Sequence, residues 1–212
     1  MERVICLVIG YLLGIIQTGF IYGKMNNVDI RNLGSGNAGT TNALRTLGWR
    51  AGVTTFLGDF LKTVVAAVVV RLVYADSSIL NLLLMYTGMG VVLGHNYPFY
   101  LKFKGGKGIA ATAGLTFMVD PFVGITVVAI FLAIFLTTKY VSLGSLTILI
   151  VFVVEIVLFG QSGKYGMTPS ALYEMYAIAV FLAALGWWRH RENIKRLING
   201  NENKINFSKI KK

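Results

Sequence analysis

The chain has 212 residues, 55% of them hydrophobic and only 14% charged, with a mean hydropathy of +0.67. That balance excludes an ordinary soluble domain and places lipid around most of the chain. A formal charge of +11 favours anionic partners, and the single cysteine, Cys6, excludes a disulfide framework and a thiolate metal site.

Apolar spans are read at about 4–23, 51–70, 79–99, 108–138, 141–160 and 171–188. The first runs from Val4 to Gly23 without a charge, roughly 30 Å of helix and the thickness of a hydrocarbon core. A cleavable leader is the weaker reading, because apolar runs continue to residue 188. The first loop, 24–50, holds four bases; 102–107 holds three, Lys139 stands alone, and 189–212 holds eight. Those bases are expected on the cytoplasmic side, leaving Arg3, Arg71 and Lys164 to the outer face. With the 102–107 loop and the tail on one side, an even number of crossings must separate them. The long run 108–138 is therefore expected to fold as a short hairpin turning at Asp120-Pro121. The fold class is all-α, a polytopic membrane protein of about seven helices with its N-terminus outside. Residues 1–188 form the transmembrane domain, with cytoplasmic loops at 24–50 and 100–107, and 189–212 form a basic interfacial helix and tail.

Chemistry concentrates in three clusters. The first loop reads GSGNAGTTNALR over 34–45. It matches a dinucleotide fingerprint literally, but a membrane helix precedes it rather than a strand, so that reading is rejected. Gly34, Gly36 and Gly39 let the backbone turn its N–H groups inward, Ser35, Asn37, Thr40, Thr41 and Asn42 add side-chain donors, and Arg45 adds a positive fork. A helix starting near Thr41 would favour an anion at its N-terminus. A mere turn between helices seldom needs twelve such residues in a row.

The second span contains Asp59 and Lys62 three residues apart, read as an internal pair with a structural purpose. In the second cluster, GHNYPFYLKFKGGKG over 94–108, positive-inside topology explains the lysines but not Gly105, Gly106 and Gly108 around Lys107. Lys104 and Lys107 are expected to face a phosphate, with at least one of them serving topology alone; His95 is as well explained by a bond to a loop carbonyl. Ser142 and Ser145 open a span beside Lys139 and are donors or caps. Glu155 sits deep in its span without a local partner. The third cluster follows Trp187-Trp188 at the membrane boundary: an amphipathic stretch on which His190 and Asn193 share a face.

Together these clusters resemble the PlsY family, the bacterial acyl-phosphate:glycerol-3-phosphate acyltransferases, through GSGNAGTTNALR at 34–45, GHNYPFYLKFKGGKGIAAT at 94–112 and RHRENIKRLINGNENK at 189–204. The resemblance implies transfer of an acyl group from acyl phosphate to the sn-1 hydroxyl of glycerol 3-phosphate, giving lysophosphatidic acid and phosphate, at the cytoplasmic face of the inner membrane. Ser35, Asn37, Lys104, His190 and Asn193 are expected to be catalytic. Gly34, Gly36, Gly39, Thr40, Thr41, Asn42, Arg45, Gly105, Gly106, Lys107 and Ser142 are expected to bind substrate. No cofactor or metal is expected, and no nucleic acid; membrane lipids are partners. Neither histidine begins an H-x-x-x-x-D pair, since Tyr100 and Lys195 stand at the fifth position, so the His-Asp acyltransferase mechanism is absent. Direct attack without an acyl-enzyme, with the substrate's own phosphate or His190 accepting the hydroxyl proton, is favoured over Ser35 as nucleophile, beside which no local base is evident. The alternatives are an organic-phosphate transporter, against which the one-sided motifs speak, and a lipid-recruiting scaffold, which leaves the first glycine loop unexplained.

Overall fold

The computed structural model describes residues 1–206, and the expected end of the tail, 207–212, lies outside the described residues. Ten α-helices are formed among the described residues: α1 (Glu2–Gly14), α2 (Thr18–Met25), α3 (Thr40–Leu47), α4 (Trp49–Val73), α5 (Leu80–Asn96), α6 (Ile109–Val119), α7 (Pro121–Thr138), α8 (Val141–Gln161), α9 (Pro169–Arg189) and α10 (Arg191–Ile198). Among the described residues, four stretches are long and apolar enough to cross a membrane: Glu2–Met25, Pro121–Thr138, Val141–Gln161 and Pro169–Arg189. α4 is longer than any of them but carries Arg50, Asp59, Lys62 and Arg71.

The expected hairpin forms. Asp120 leaves the helical region and accepts a hydrogen bond from Phe122 N at 2.9 Å, capping α7, while Pro121 occupies its first position, where no N–H is needed. α6, at 11 residues, reaches only about 16 Å by helical rise.

The first apolar run, expected as one helix, breaks at Ile15–Gln17. A break in an apolar span strands backbone groups, and each needs a partner from elsewhere. Here the partners come from α4 and from the 97–108 loop: Lys62 Nζ donates to Gly14 O at 3.1 Å and Ile16 O at 2.7 Å, and the Tyr100 hydroxyl donates to Ile15 O at 2.9 Å. Gln17 turns inward and donates to His95 O at 3.0 Å.

α1 and α5 lie backbone against backbone along two small-xxx-small seams, Gly10/Gly14 and Gly90/Gly94. A Cβ at Gly10 would come within 2.0 Å of Thr87 O, and one at Gly14 within 2.4 Å of Val91 O. At Gly90 it would meet Leu7 O at 2.1 Å and at Gly94 Tyr11 O at 2.4 Å, a contact that glycine alone permits. The core continues through Leu82, Met85, Leu115, Phe152, Ile156 and Met175, all fully buried.

The two ends of the bundle differ. One carries Arg3 paired with Glu174, Lys164 with Asp120, and Arg71 on Met118 O. The other gathers the loop before α3, the 97–108 loop, the α7–α8 turn and the chain after α9 around one cavity.

Candidate active site

The first loop folds around Asn42. Its Nδ2 lies 3.0 Å from Ile30 O, 3.0 Å from Leu33 O and 2.9 Å from Asn37 O, while its Oδ1 accepts from Ser35 N at 2.9 Å. One buried amide thus ties down four points of a segment that has no ladder of its own. Gly34 and Gly36 take left-handed φ of +56° and +69°, and a Cβ at Gly34 would lie 2.3 Å from Asn42 Oδ1. Ile30, Ala38, Ala43 and Ala51 form a small core under the loop. Asp29 caps the 3₁₀ turn Ile30–Asn32 and pairs with Arg31, which holds its carboxyl at about 2. α3 begins at Thr40 after Gly39, which offers no side-chain cap; Gly39 N donates to Asn37 Oδ1 at 2.9 Å, and the N–H groups of Thr40 and Thr41, both on the cavity wall, have no partner within the helix.

In the second loop, Gly105 N donates to Asn96 O and Gly106 N to His95 O, both at 3.1 Å. From the other side, Arg189 Nη2 donates to Gly105 O at 3.0 Å and Gly106 O at 2.9 Å. Both glycine amides are therefore engaged. Gly105 and Gly106, expected to bind substrate, instead hold the backbone from which the next residue, Lys107, enters the cavity. Lys104 is exposed and stands off the cavity wall, so of the two lysines the geometry selects Lys107. Burial, with Arg196 nearby, lowers the Lys107 ammonium to about 8.

The chain after α9 supplies the third wall. Lys107 Nζ donates to Asn193 Oδ1, and Asn193 Nδ2 donates to Glu202 Oε1 at 2.8 Å. Glu202 also accepts from Ser142 Oγ at 3.1 Å and Arg196 Nε at 2.7 Å. Residues beyond α10 thus return to the site rather than trail from it: Arg45 donates to Asn203 O at 2.8 Å and Ile205 N donates to Lys139 O at 3.1 Å. His190 closes α9 with Nδ1 at 2.7 Å from Gly186 O. A carbonyl can only accept, so Nδ1 carries the proton and Nε2 is left as an acceptor. Burial, and then the neighbouring Lys107, push His190 down to about 4, so the ring is neutral near pH 7.

These walls enclose a cavity of about 480 Å³. One part is polar and cationic, with Ser35, Asn37, Gly39, Thr40, Thr41, Asn42, Arg45, Lys107, Ser142, His190 and Asn193 on its wall; the other is apolar, between Phe56, Ala113, Val127, Phe131, Leu132 and Ile148. Of the expected site residues, Gly34, Gly36, Lys104, Gly105 and Gly106 stand off the wall. Ser145, read as a donor or a cap, donates its hydroxyl back to Val141 O at 2.8 Å within the first turn of α8 and does not cap it, although it borders the cavity. The sequence reading did not single out Arg196 and Glu202, nor the approach of Asp59 and His95 to the cavity. Glu202 had one available signal, a carboxylate in a strongly basic tail.

The sequence profile of the family described as glycerol-3-phosphate acyltransferase matches residues 4–200. The chain belongs to this family. It is 40% identical over 206 residues to the glycerol-3-phosphate acyltransferase of a Thermoanaerobacter species, covering 97% of this chain and 96% of the relative. With that of Clostridioides difficile it shares 43% over 211 residues, covering 97% of each. Among solved structures, PlsY (YgiH), an integral membrane glycerol 3-phosphate acyltransferase, matches in its glycerol 3-phosphate form with a TM-score of 0.82 at 38% identity, over 97% of this chain and 96% of that one. Its lysophosphatidic acid form matches at 0.80 and 36%, over 99% and 98%. The acyltransferase is thus an all-α integral membrane enzyme of the PlsY family that acylates glycerol 3-phosphate.

Proposed function

We propose that the acyl donor is an acyl phosphate and that the acceptor is the sn-1 hydroxyl of glycerol 3-phosphate, with lysophosphatidic acid and inorganic phosphate as products. One observation carries this reading: a single cavity of about 480 Å³ joins a cationic, donor-rich part to an apolar part, as a substrate pair of two phosphates and one acyl chain requires. The N-terminus of α3 with Ser35, Thr40 and Thr41 suits the acyl phosphate; Arg45, Lys107, Ser142 and Asn193 suit glycerol 3-phosphate. The hydroxyl oxygen attacks the carbonyl carbon directly, His190 Nε2 takes the hydroxyl proton, and the bond from that carbon to the phosphate oxygen breaks as the tetrahedral oxyanion collapses. Inorganic phosphate leaves with its charge met by the cations, and His190 then releases the proton to it or to water.

The site lies on the cytoplasmic side of the inner membrane in this reading, the N-terminus lies outside, and seven crossings are made by α1 with α2 and by α4 to α9. The basic loops that surround the cavity support that orientation. Residues 1–188 form the membrane domain, and the chain from 189 onward is its cytoplasmic closure.

The test is phosphate release by purified, detergent-solubilised protein given acyl phosphate, with and without glycerol 3-phosphate. Release that depends on the acceptor and yields lysophosphatidic acid is expected. Acylated enzyme accumulating when the acceptor is withheld would replace direct attack with a Ser35 intermediate; no product from folded protein would overturn the donor assignment.

A further inference from the structure

The acid and base buried beneath the cavity take no part in the chemistry above, yet they are joined to it. Lys62 Nζ stands 3.0 Å from Asp59 Oδ1 and 2.9 Å from His95 Nδ1, besides its two bonds to the carbonyls freed by the α1–α2 break. Three N–H groups therefore serve four acceptors. Asp59 Oδ1 also accepts from Thr18 Oγ1 at 3.3 Å, on the far side of the break. Nδ1 of His95 faces the pair, 2.9 Å from Lys62 Nζ and 3.6 Å from Asp59 Oδ1, and Nε2 points away from it. Gly106 lies on that edge of the ring: a Cβ there would sit 2.0 Å from His95 Nε2. His95 O in turn accepts from both Gly106 N and Gln17 Nε2. The imidazole is the floor under the Gly105–Gly106 step, and Arg189 holds that step from the opposite side.

We propose that Asp59, Lys62 and His95 form the positioning unit for Lys107, coupling the break in the first membrane helix to the backbone from which Lys107 reaches the substrate phosphate. A charge pair of this kind, taken out of water, is favourable only when its hydrogen bonds are met; here they are met by backbone that must itself be held in place. The unit touches no reacting atom and acts through Gly106. Its role rests on the reading of Lys107 as a phosphate ligand.

The test has two arms. In the first, the rate at which an amine-reactive reagent labels Lys107 is followed against pH by peptide mass spectrometry in wild type, Gly106→Ala and His95→Ala. The wild-type midpoint is expected near 8. Both variants are expected to move it upward by about one unit as Lys107 swings toward water, and an unmoved midpoint in folded Gly106→Ala protein overturns the proposal without reference to turnover. The second arm is a cycle of Gly106→Ala, His95→Ala and the double variant. Each single change is expected to raise KM for glycerol 3-phosphate at least tenfold. The double variant is expected to be no worse than His95→Ala, because the added methyl enters the space that the ring vacates. Additive losses would overturn the proposal. Wild type lacking acyl transfer altogether would instead defeat the donor assignment and leave the labelling arm readable.

Discussion

Away from the cavity, Arg3 and Glu174 meet at 2.7 Å with side chains 40% and 31% exposed, whereas beside the cavity Lys62 and Asp59 meet at 3.0 Å with 4% and 2% exposed. The two contacts look alike as a list of distances and differ in what surrounds them. Arg3–Glu174 joins the start of α1 to the start of α9, with the Tyr86 hydroxyl also on the carboxylate, and water can replace much of what is lost if either side chain goes. Lys62 answers two backbone carbonyls, a carboxylate and a ring nitrogen in one place, and water has no equal access there. The comparison teaches that a bilayer enzyme can staple one end with exchangeable pairs while the end that does chemistry depends on a charge that nothing else can replace.

Replacing Lys62 by Met should break this contrast most severely. The change leaves Asp59 without its lysine, with Thr18 and His95 as its remaining neighbours, and the carbonyls of Gly14 and Ile16 without their lysine donor, a loss of about 3–5 kcal/mol by the behaviour of buried pairs with one partner removed. Thermal unfolding in detergent should show it directly, and Asp59→Asn combined with Lys62→Met should recover part of the lost midpoint. A midpoint equal to wild type would mean that water reaches the break.

His190→Ala should leave folding largely intact and lower turnover by about 10²–10⁴, the range for loss of a general base, as read by phosphate release. Undiminished turnover would pass the proton directly to the substrate's own phosphate.

A smaller effect is expected from pH through Lys107. Its ammonium is held near 8, below the ordinary lysine value, so the cation is present below that pH and is lost as pH rises through it. KM for glycerol 3-phosphate should therefore climb above about pH 8, and Lys107→Arg, whose charge persists, should carry that limb to higher pH. A limb that stays in place in the arginine variant would assign it to another group.

The smallest effect belongs to the far end. Arg3→Ala removes a half-exposed pair and should cost under about 1 kcal/mol, with turnover unchanged. A large loss of activity from that change would mean that the two ends are coupled through α1.

Sequence periodicity locates the apolar runs because lipid demands long unbroken stretches, and it locates the α6–α7 turn because Asp120-Pro121 is a cap followed by a residue suited only to a helix start. The three polar clusters are legible for the same local reason. What is not legible depends on distant partners. Ile15–Gln17 reads as ordinary span, and the partners that make a break there tolerable, Lys62, His95 and Tyr100, lie more than forty positions on. The lysines at 104 and 107 are equivalent as text; the use of the Gly105 and Gly106 amides by the end of α5 separates them. Glu202 reads as a stray acid until Ser142, Asn193 and Arg196 are folded around it.

The four-glycine seam between α1 and α5 works as a ruler. With each glycine pressed against the opposite main chain, the helices have no side-chain layer in which to slide, and a shift of one residue would drive a Cβ into a carbonyl. The spacing between the break at one end of α1 and His95 at the end of α5 is therefore set by backbone geometry. The outward face of α1, exposed at Val4, Ile5, Val8 and Leu12, remains free to vary with the lipid it meets, whereas α5 has no exposed residue and is held on every side.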